Sequence, residues 1–402
     1  MGPVQAANSA RCEDSVEAFY QRLSLRAATI DELLSDAFAV APDAAVDCDL
    51  SARLAAQRLA AWRQSSAAGD VSLFARRLAR DGLSGGEVES RFTGAQRRPA
   101  PHPAWLDDAI WIEAALQASG TAPGATPAYP FEDLFAVLIE RAAALVWSGL
   151  DVSTSANFAE TARACLQDAL LVAVTELCAP ALYERFAKKR SAGPSSNAAK
   201  SPGEPAATSH YREFIAEMRS GGFRSLFEDK PVLLRLIAVM TRQWVDSTRE
   251  FILRLASDLP AIRRDLIHGS ASKVVNIASG LSDPHNDGRC VLIVRFADGA
   301  PIIYKPKDLR LDVAWRGLVE RLNGAGAPIA LKTVRTLARD GYGWTEFIEH
   351  LGCADARGCD TFFQRAGAWL ALLHCFAATD MHQENRLAAG DHPVPIDLET
   401  IL

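Results

Sequence analysis

The chain has 402 residues, 49% of them hydrophobic and 23% charged, with a formal net charge of −6. This length exceeds one ordinary core, so two or three domains are expected in a globular chain. The acidic balance argues against nucleic-acid binding, which needs a basic field.

Glu13, Asp14 and Glu17 occupy the stretch where a signal peptide would be apolar. The best apolar run, Ala169–Leu182, is interrupted by Glu176 and falls short of the about 18 residues of a membrane span. A cytoplasmic protein with no stable membrane insertion is therefore expected. None of the eight cysteines forms a C-x-x-C pair, which predicts reduced, mostly buried thiols.

Residues 1–190 are dense in Ala, Leu and Arg and read as helices, separated by turn clusters such as Thr121–Pro127. Residues 191–209 are rich in Ser, Ala, Pro and Gly without apolar periodicity, the composition of a flexible linker or disordered loop. Helical pattern returns over 210–270. Leu233, Leu236, Ile237, Met240 and Trp244 make one stripe, and Pro260 should end a second helix running through Phe251 and Leu255.

The texture changes at about residue 271. Lys273–Ala278, Cys290–Phe296 and Pro301–Lys305 read as strands, with the polar loop Ser279–Arg289 between the first two and Asp298-Gly299 as the turn between the next. Leu311–Asn323 reads as a helix, Tyr342–Ile348 as a strand, and the stripe Phe362, Ala366, Trp369, Leu373, Phe376 as another helix. The fold class expected is α+β: a helix-rich N-terminal region, then a small antiparallel sheet with helices over 271–402.

Phosphoryl transfer from a nucleotide needs a cation on the phosphates, oxygen ligands for Mg²⁺ and an acid near the attacking hydroxyl. Each has a candidate here. Lys305 ends a strand and shares a face with Ile303, while Tyr304 points the other way; it is suited to nucleotide phosphates, or it guards a sheet edge. In Asp380-x-His382-x-x-Asn385, Asp380 can accept a hydroxyl proton, Asn385 offers an oxygen to Mg²⁺, and His382 can orient a phosphate or act as acid or base. Asp397 and Glu399, two apart on a strand-like segment, would point together into the cleft as metal ligands. The bland alternative is a capped loop followed by a solvated acidic strand end. The Gly280–Gly288 loop carries Asp283 and His285 and is neither a Walker A nor a G-x-G-x-x-G; a polar hairpin loop reads equally well. Glu320 could pair with Lys305, although a solvated helix face suits it better.

Taken in order, residues 280–289, 303–310, 342–348, 379–385 and 395–400 resemble the dehydratase domain of class II lanthipeptide synthetases, the LanM type. The resemblance covers about residues 270–402 and implies a lipid-kinase-like fold. It implies ATP- and Mg²⁺-dependent phosphorylation of Ser and Thr in a ribosomal leader–core precursor peptide, followed by phosphate elimination to dehydroalanine or dehydrobutyrine. Asp283, His285 and Lys305 match family positions tied to the site, some of them in elimination; Asp380, His382 and Asn385 match the catalytic and metal loop; Asp397 and Glu399 match the second acid pair. A full member continues with the rest of the larger lobe and a zinc-binding cyclase domain, so this stretch is expected to be truncated, with exposed apolar surface and a cyclase downstream or in trans. The competing readings are another kinase-like phosphotransferase acting on a lipid or small molecule, and a peptide-binding pseudoenzyme.

Overall fold

The computed structural model describes residues 16–35, 38–40, 48–97, 103–118, 128–191, 206–267, 272–280, 282–299, 301–398 and 401. The turn cluster at 121–127, most of the expected linker (192–205) and Glu399 lie outside the described residues. Two compact units emerge, one built from residues 1–141 and 174–242, the other from 142–173 and 243–402. The architecture is α+β, as expected: helices throughout, with a five-stranded antiparallel sheet in the second unit.

In the first unit, Leu33, Phe74, Leu78, Val88 and Phe92 form one apolar cluster, with Trp62 edge-on to Phe74 at 5.2 Å. The helix Ala104–Gln117 carries two buried acids, each given a guanidinium partner. Glu113 takes Arg224 Nε at 2.7 Å and Nη2 at 2.9 Å and also accepts from the Tyr20 hydroxyl; Asp108 takes Arg242 at 2.6 and 2.9 Å. Burial, then the Glu113 carboxylate, holds the Tyr20 phenol well above its ordinary range. A buried carboxylate without such partners would be costly, so these pairs fix which helices pack together.

Two long helices contribute residues to both units: α1, Glu160–Ser191, and α2, Pro231–Ile262. Among the described helices α1 alone is long and apolar enough to cross a membrane, because an 18-residue window there escapes heavy charge despite Glu176. Its Ala162, Leu166, Leu170, Val174, Cys178 and Leu182 are buried at every fourth position, the signature of a packed amphipathic helix.

The second apolar stretch expected to end at Pro260 is not a separate helix. Helix α2 runs unbroken from Pro231 and takes in Pro260 two residues before its end; the proline removes one helix N–H donor, and the chain soon passes into the wider turn Arg263–Ile267. The buried stripe also departs from expectation. Leu236 is 46% exposed, and burial runs instead through Leu234, Ile237, Ala238, Thr241 and Val245.

The sheet of the second unit has β1 Val274–Ala278, β2 Leu292–Phe296, β3 Pro301–Lys305, β4 Thr336–Arg339 and β5 Tyr342–Glu346, in spatial order β1-β2-β3-β5-β4. Strand β4 is absent from the sequence reading because Thr336–Arg339 lacks a clear apolar alternation; all four of its residues are half-buried. The β2–β3 turn uses Gly299 at φ +95°. Edge strand β1 is covered: Val274 N donates to Asn157 O and Ala159 N donates to Val274 O, each at 2.8 Å.

One face of the sheet lies on α2. Phe251 packs 5.2 Å from Tyr304 and 6.2 Å from Trp344. Glu250, Arg254 and Asp258, four residues apart on one side of the helix, each reach a sheet residue or its loop. Asp258 is 5% exposed and accepts from Arg339 Nε at 2.6 Å, Tyr342 Oη at 2.9 Å and Trp344 Nε1 at 2.8 Å. Burial, followed by the Asp258 carboxylate, pushes the Tyr342 phenol up to about 12. The other face is overlaid by α3, Arg310–Gly324, and continues to α4, Ala356–Cys375, and the hairpin β6 Arg386–Ala389 with β7 His392–Pro395. Trp315, Val319, Trp369, Leu373, Leu398 and Ile401 form a core there, with Trp315 and Trp369 stacked at 6.2 Å.

Candidate active site

The face of the sheet turned away from α2 opens on a cleft of about 480 Å³. Alternation along β3 decides what each side chain sees. Ile303 and Lys305 line the cleft, while Tyr304 turns to α2 and accepts from Arg254 Nη1 at 2.6 Å. Lys305 is 8% exposed and its ammonium donates to the carbonyl of Ile396. It pairs across the ladder with Gly343, where a Cβ would lie 2.6 Å from Leu309 Cδ1 and 2.7 Å from Leu337 O. Gly343 is therefore required by close packing, and it sets the plane on which Lys305 sits.

Asp397 also lines the cleft, and Lys307 holds it at 2.5 Å. It does not sit on a strand. The hairpin ladder ends at Pro395, which has no N–H to donate, and Ile396–Leu398 continue without ladder pairing. The expectation that Asp397 and Glu399 alternate on one strand face is thus corrected for Asp397.

Asn385 reaches the same cleft from the short turn Gln383–Asn385. Its carbonyl accepts from Ile396 N at 3.0 Å, which brings the Asn385 turn against the segment carrying Asp397. Its Nδ2 donates to Asp380 O at 2.8 Å, committing the nitrogen end of the amide and leaving its oxygen as the candidate ligand. Asp380 takes φ +57°, a left-handed conformation that aspartate tolerates, and so turns the chain from the end of α4 into this loop. His382 Nε2 lies 3.7 Å from Asp380 Oδ1, and both side chains are exposed at the lip.

The cleft holds two acids that the sequence reading missed, Asp312 and Glu346, the latter paired with Arg335 at 2.8 Å. Asp312, in the first turn of α3, lines it together with Lys305 and Asp397. Burial raises its carboxyl above the ordinary range; the charges of Lys305 and Lys307 pull it back, and Asp397 adds to the rise. Helix register alone does not single it out: Asp312 lies one turn before Arg316, which also lines the cleft, and Glu320 one turn after, yet Glu320 is exposed and pairs with Arg316 at 3.4 Å. The structure thus gathers Lys305, Asn385, Asp397 and Asp312 and sets Asp380 and His382 beside them. Asp283 and His285 stand exposed on their loop; of that loop, Ser282 reaches the cleft. The loop is anchored from behind, since Arg289 bonds Glu250 of α2 at 2.7 Å and the carbonyl of Asn286.

An amide oxygen and a carboxylate are hard donors, suited to Mg²⁺ rather than to softer metals, and two lysines beside them suit phosphate. Residues 231–402 match a family model described as a domain of unknown function (DUF4135). The chain is also 24% identical over 205 residues, 48% of its length, to the lacticin 481/lactococcin biosynthesis protein LcnDR2 of Lactococcus lactis subsp. lactis. The match takes in 22% of that relative, so the chain spans about a fifth of its length. The family match over residues 231–402 and this relative together make the chain similar to LanM-type synthetases, the resemblance its motifs suggest.

Proposed function

We propose that this chain carries the dehydration site of lanthipeptide biosynthesis, phosphorylating Ser and Thr of a ribosomal precursor peptide with ATP and eliminating the phosphate to leave dehydroamino acids. The observation that carries the reading is the convergence of Lys305, Asn385 and Asp397 on one cleft, next to the Asp380 loop. The relative's printed role in lacticin 481/lactococcin biosynthesis supports the substrate class.

Asn385 and Asp397 are the residues that would hold Mg²⁺, with Glu399 as the further acid expected from the sequence. Bound there, the ion would neutralise charge developing on the transferred phosphate. Lys305 places a fixed positive charge on the phosphates, and Asp312 and the Ile396 carbonyl position its ammonium. Asp380 accepts the proton of the attacking hydroxyl, and His382 orients the phosphate beside it. In elimination, His285 and Lys305 stabilise the departing phosphate, and Asp283 belongs to the same step. The cyclase reaction, by this reading, belongs to another domain or chain.

The test is mass spectrometry of a precursor peptide incubated with the protein, ATP and Mg²⁺. Loss of water from Ser or Thr is expected. Asp380→Ala should abolish both phosphopeptide and dehydrated product, and phosphopeptide formation by that variant refutes the assigned base. His285→Ala or Lys305→Met should lower activity or let phosphopeptide accumulate; if neither does, the phosphate cradle is misassigned.

A further inference from the structure

Two cysteines meet where α4 begins. Cys353 precedes the helix and Cys359 lies in its first turns. Asp355 folds the chain back between them: its Oδ1 accepts from Gly358 N at 2.7 Å and its carbonyl accepts from Cys359 N at 3.1 Å. A Cβ at Gly358 would stand 3.5 Å from Cys353 Cβ, so this turn lies directly on Cys353. Cys359 is the residue after Gly358, so it stands on the same turn as this contact; both thiols are reduced, with Cys359 exposed and Cys353 half-buried. The expectation of mostly buried thiols is thereby corrected among the described cysteines, since Cys375 is exposed as well and Cys178 alone is buried.

Cys353 is also tied to the hairpin. Its Sγ donates to Gly390 O at 3.5 Å, and two residues earlier Leu351 exchanges backbone bonds with Ala388 and Gly390 at 2.8 and 2.9 Å. One residue before that, His350 lines the cleft, as does Trp369 farther along α4. A covalent link between Cys353 and Cys359 would therefore join the start of α4 to the segment that borders the cleft.

We propose that Cys353 and Cys359 are a reversible dithiol–disulfide pair, oxidised by a small-molecule disulfide such as glutathione disulfide. The exposed Cys359 thiolate attacks one sulfur of glutathione disulfide, forming a mixed disulfide and releasing one glutathione thiolate, which takes up a proton. Cys353 then gives up its proton and attacks the Cys359 sulfur, forming the internal bond and releasing the second glutathione. The protein thus loses two electrons and two protons, and one glutathione disulfide becomes two glutathione thiols. Placement on one turn makes the second step intramolecular, which favours closure over a lasting mixed disulfide. Desolvation, then Cys359 and the carboxylates of Asp391 and Asp355, raises the Cys353 thiol. A thiol of that kind leaves slowly, so the bond once formed resists thiol attack at Cys359. None of this rests on the proposed reaction.

The whole protein, held in buffers of graded glutathione to glutathione disulfide ratio, would be quenched with acid, alkylated, digested and mapped by mass spectrometry. The expected result is a Cys353–Cys359 linked peptide, two hydrogens lighter than the dithiol, that appears while Cys375 is still alkylated. Cys353→Ser should trap glutathione on Cys359. The proposal is overturned if both thiols stay alkylatable through the most oxidising buffer. It is equally overturned if the wild-type protein accumulates glutathione on Cys359 to the same extent as Cys353→Ser, or if Cys375 is oxidised as readily as the pair.

Discussion

Removing the Asp258 carboxylate should loosen the sheet from α2, and the size of the effect follows from its three donors. Trp344 Nε1 is fully buried and has no water to turn to once its acceptor is gone, which costs about 1–3 kcal/mol. Tyr342 Oη and the Arg339 guanidinium, whose side chain is 31% exposed, recover part of their hydration and lose correspondingly less. Asp258→Ala should therefore cost about 3–4 kcal/mol, the lower part of the range for breaking a buried ion pair. At about 2–4 °C per kcal/mol for a domain of this size, the melting transition should fall by about 10 °C. Thermal denaturation followed by tryptophan fluorescence measures it directly, because Trp344 is at the affected contact. Tyr342→Phe removes one donor and should cost about 1 kcal/mol. An Asp258→Ala protein that melts within about 2 °C of wild type would refute the claim that this carboxylate fastens the sheet.

Two further substitutions address the cleft itself. Burial raises the Asp312 carboxyl in the folded chain, so its contribution to stability is full below the ordinary carboxylate range and is lost as pH rises through the folded value. Asp312→Asn should then raise the melting temperature at neutral pH, with the gain vanishing in acid, while peptide phosphorylation falls because Lys305 loses a positioning charge. A gain that persists unchanged in acid would show that ionisation is not its cause. Gly343→Ala should cost about 1–3 kcal/mol by overpacking, since Leu337 O belongs to the neighbouring strand and cannot step aside. It should also depress activity through the cross-strand position of Lys305, and a variant as stable and active as wild type would count against that packing argument.

What was legible in the sequence was local. Strands β1, β2, β3 and β5 announce themselves by β-branched runs and a Gly turn, and alternation alone put Lys305 and Ile303 on one face. Pattern could not weigh Pro260, because whether a helix continues past a proline depends on the packing around it, here the buried Leu259 and Ile262. It also could not recognise Asp258. A single acid in an amphipathic helix looks solvated until the tertiary fold delivers Arg339, Tyr342 and Trp344, which lie more than 80 positions away. Asp312 was hidden for the same reason, since Glu320 has a similar helical register and only packing separates the acid facing the cleft from the one in water. The residues that a motif displays are those that would touch ligand. Those that hold them, among them Asp258, Gly343, Asp312 and the Glu250–Arg289 anchor behind the Asp283 loop, are fixed by long-range contacts. The site is therefore only half written in its motifs. Transplanting Lys305, the Asp380 loop and Asp397 onto another sheet without this supporting set would reproduce the motifs and leave the lysine and the acids unpositioned.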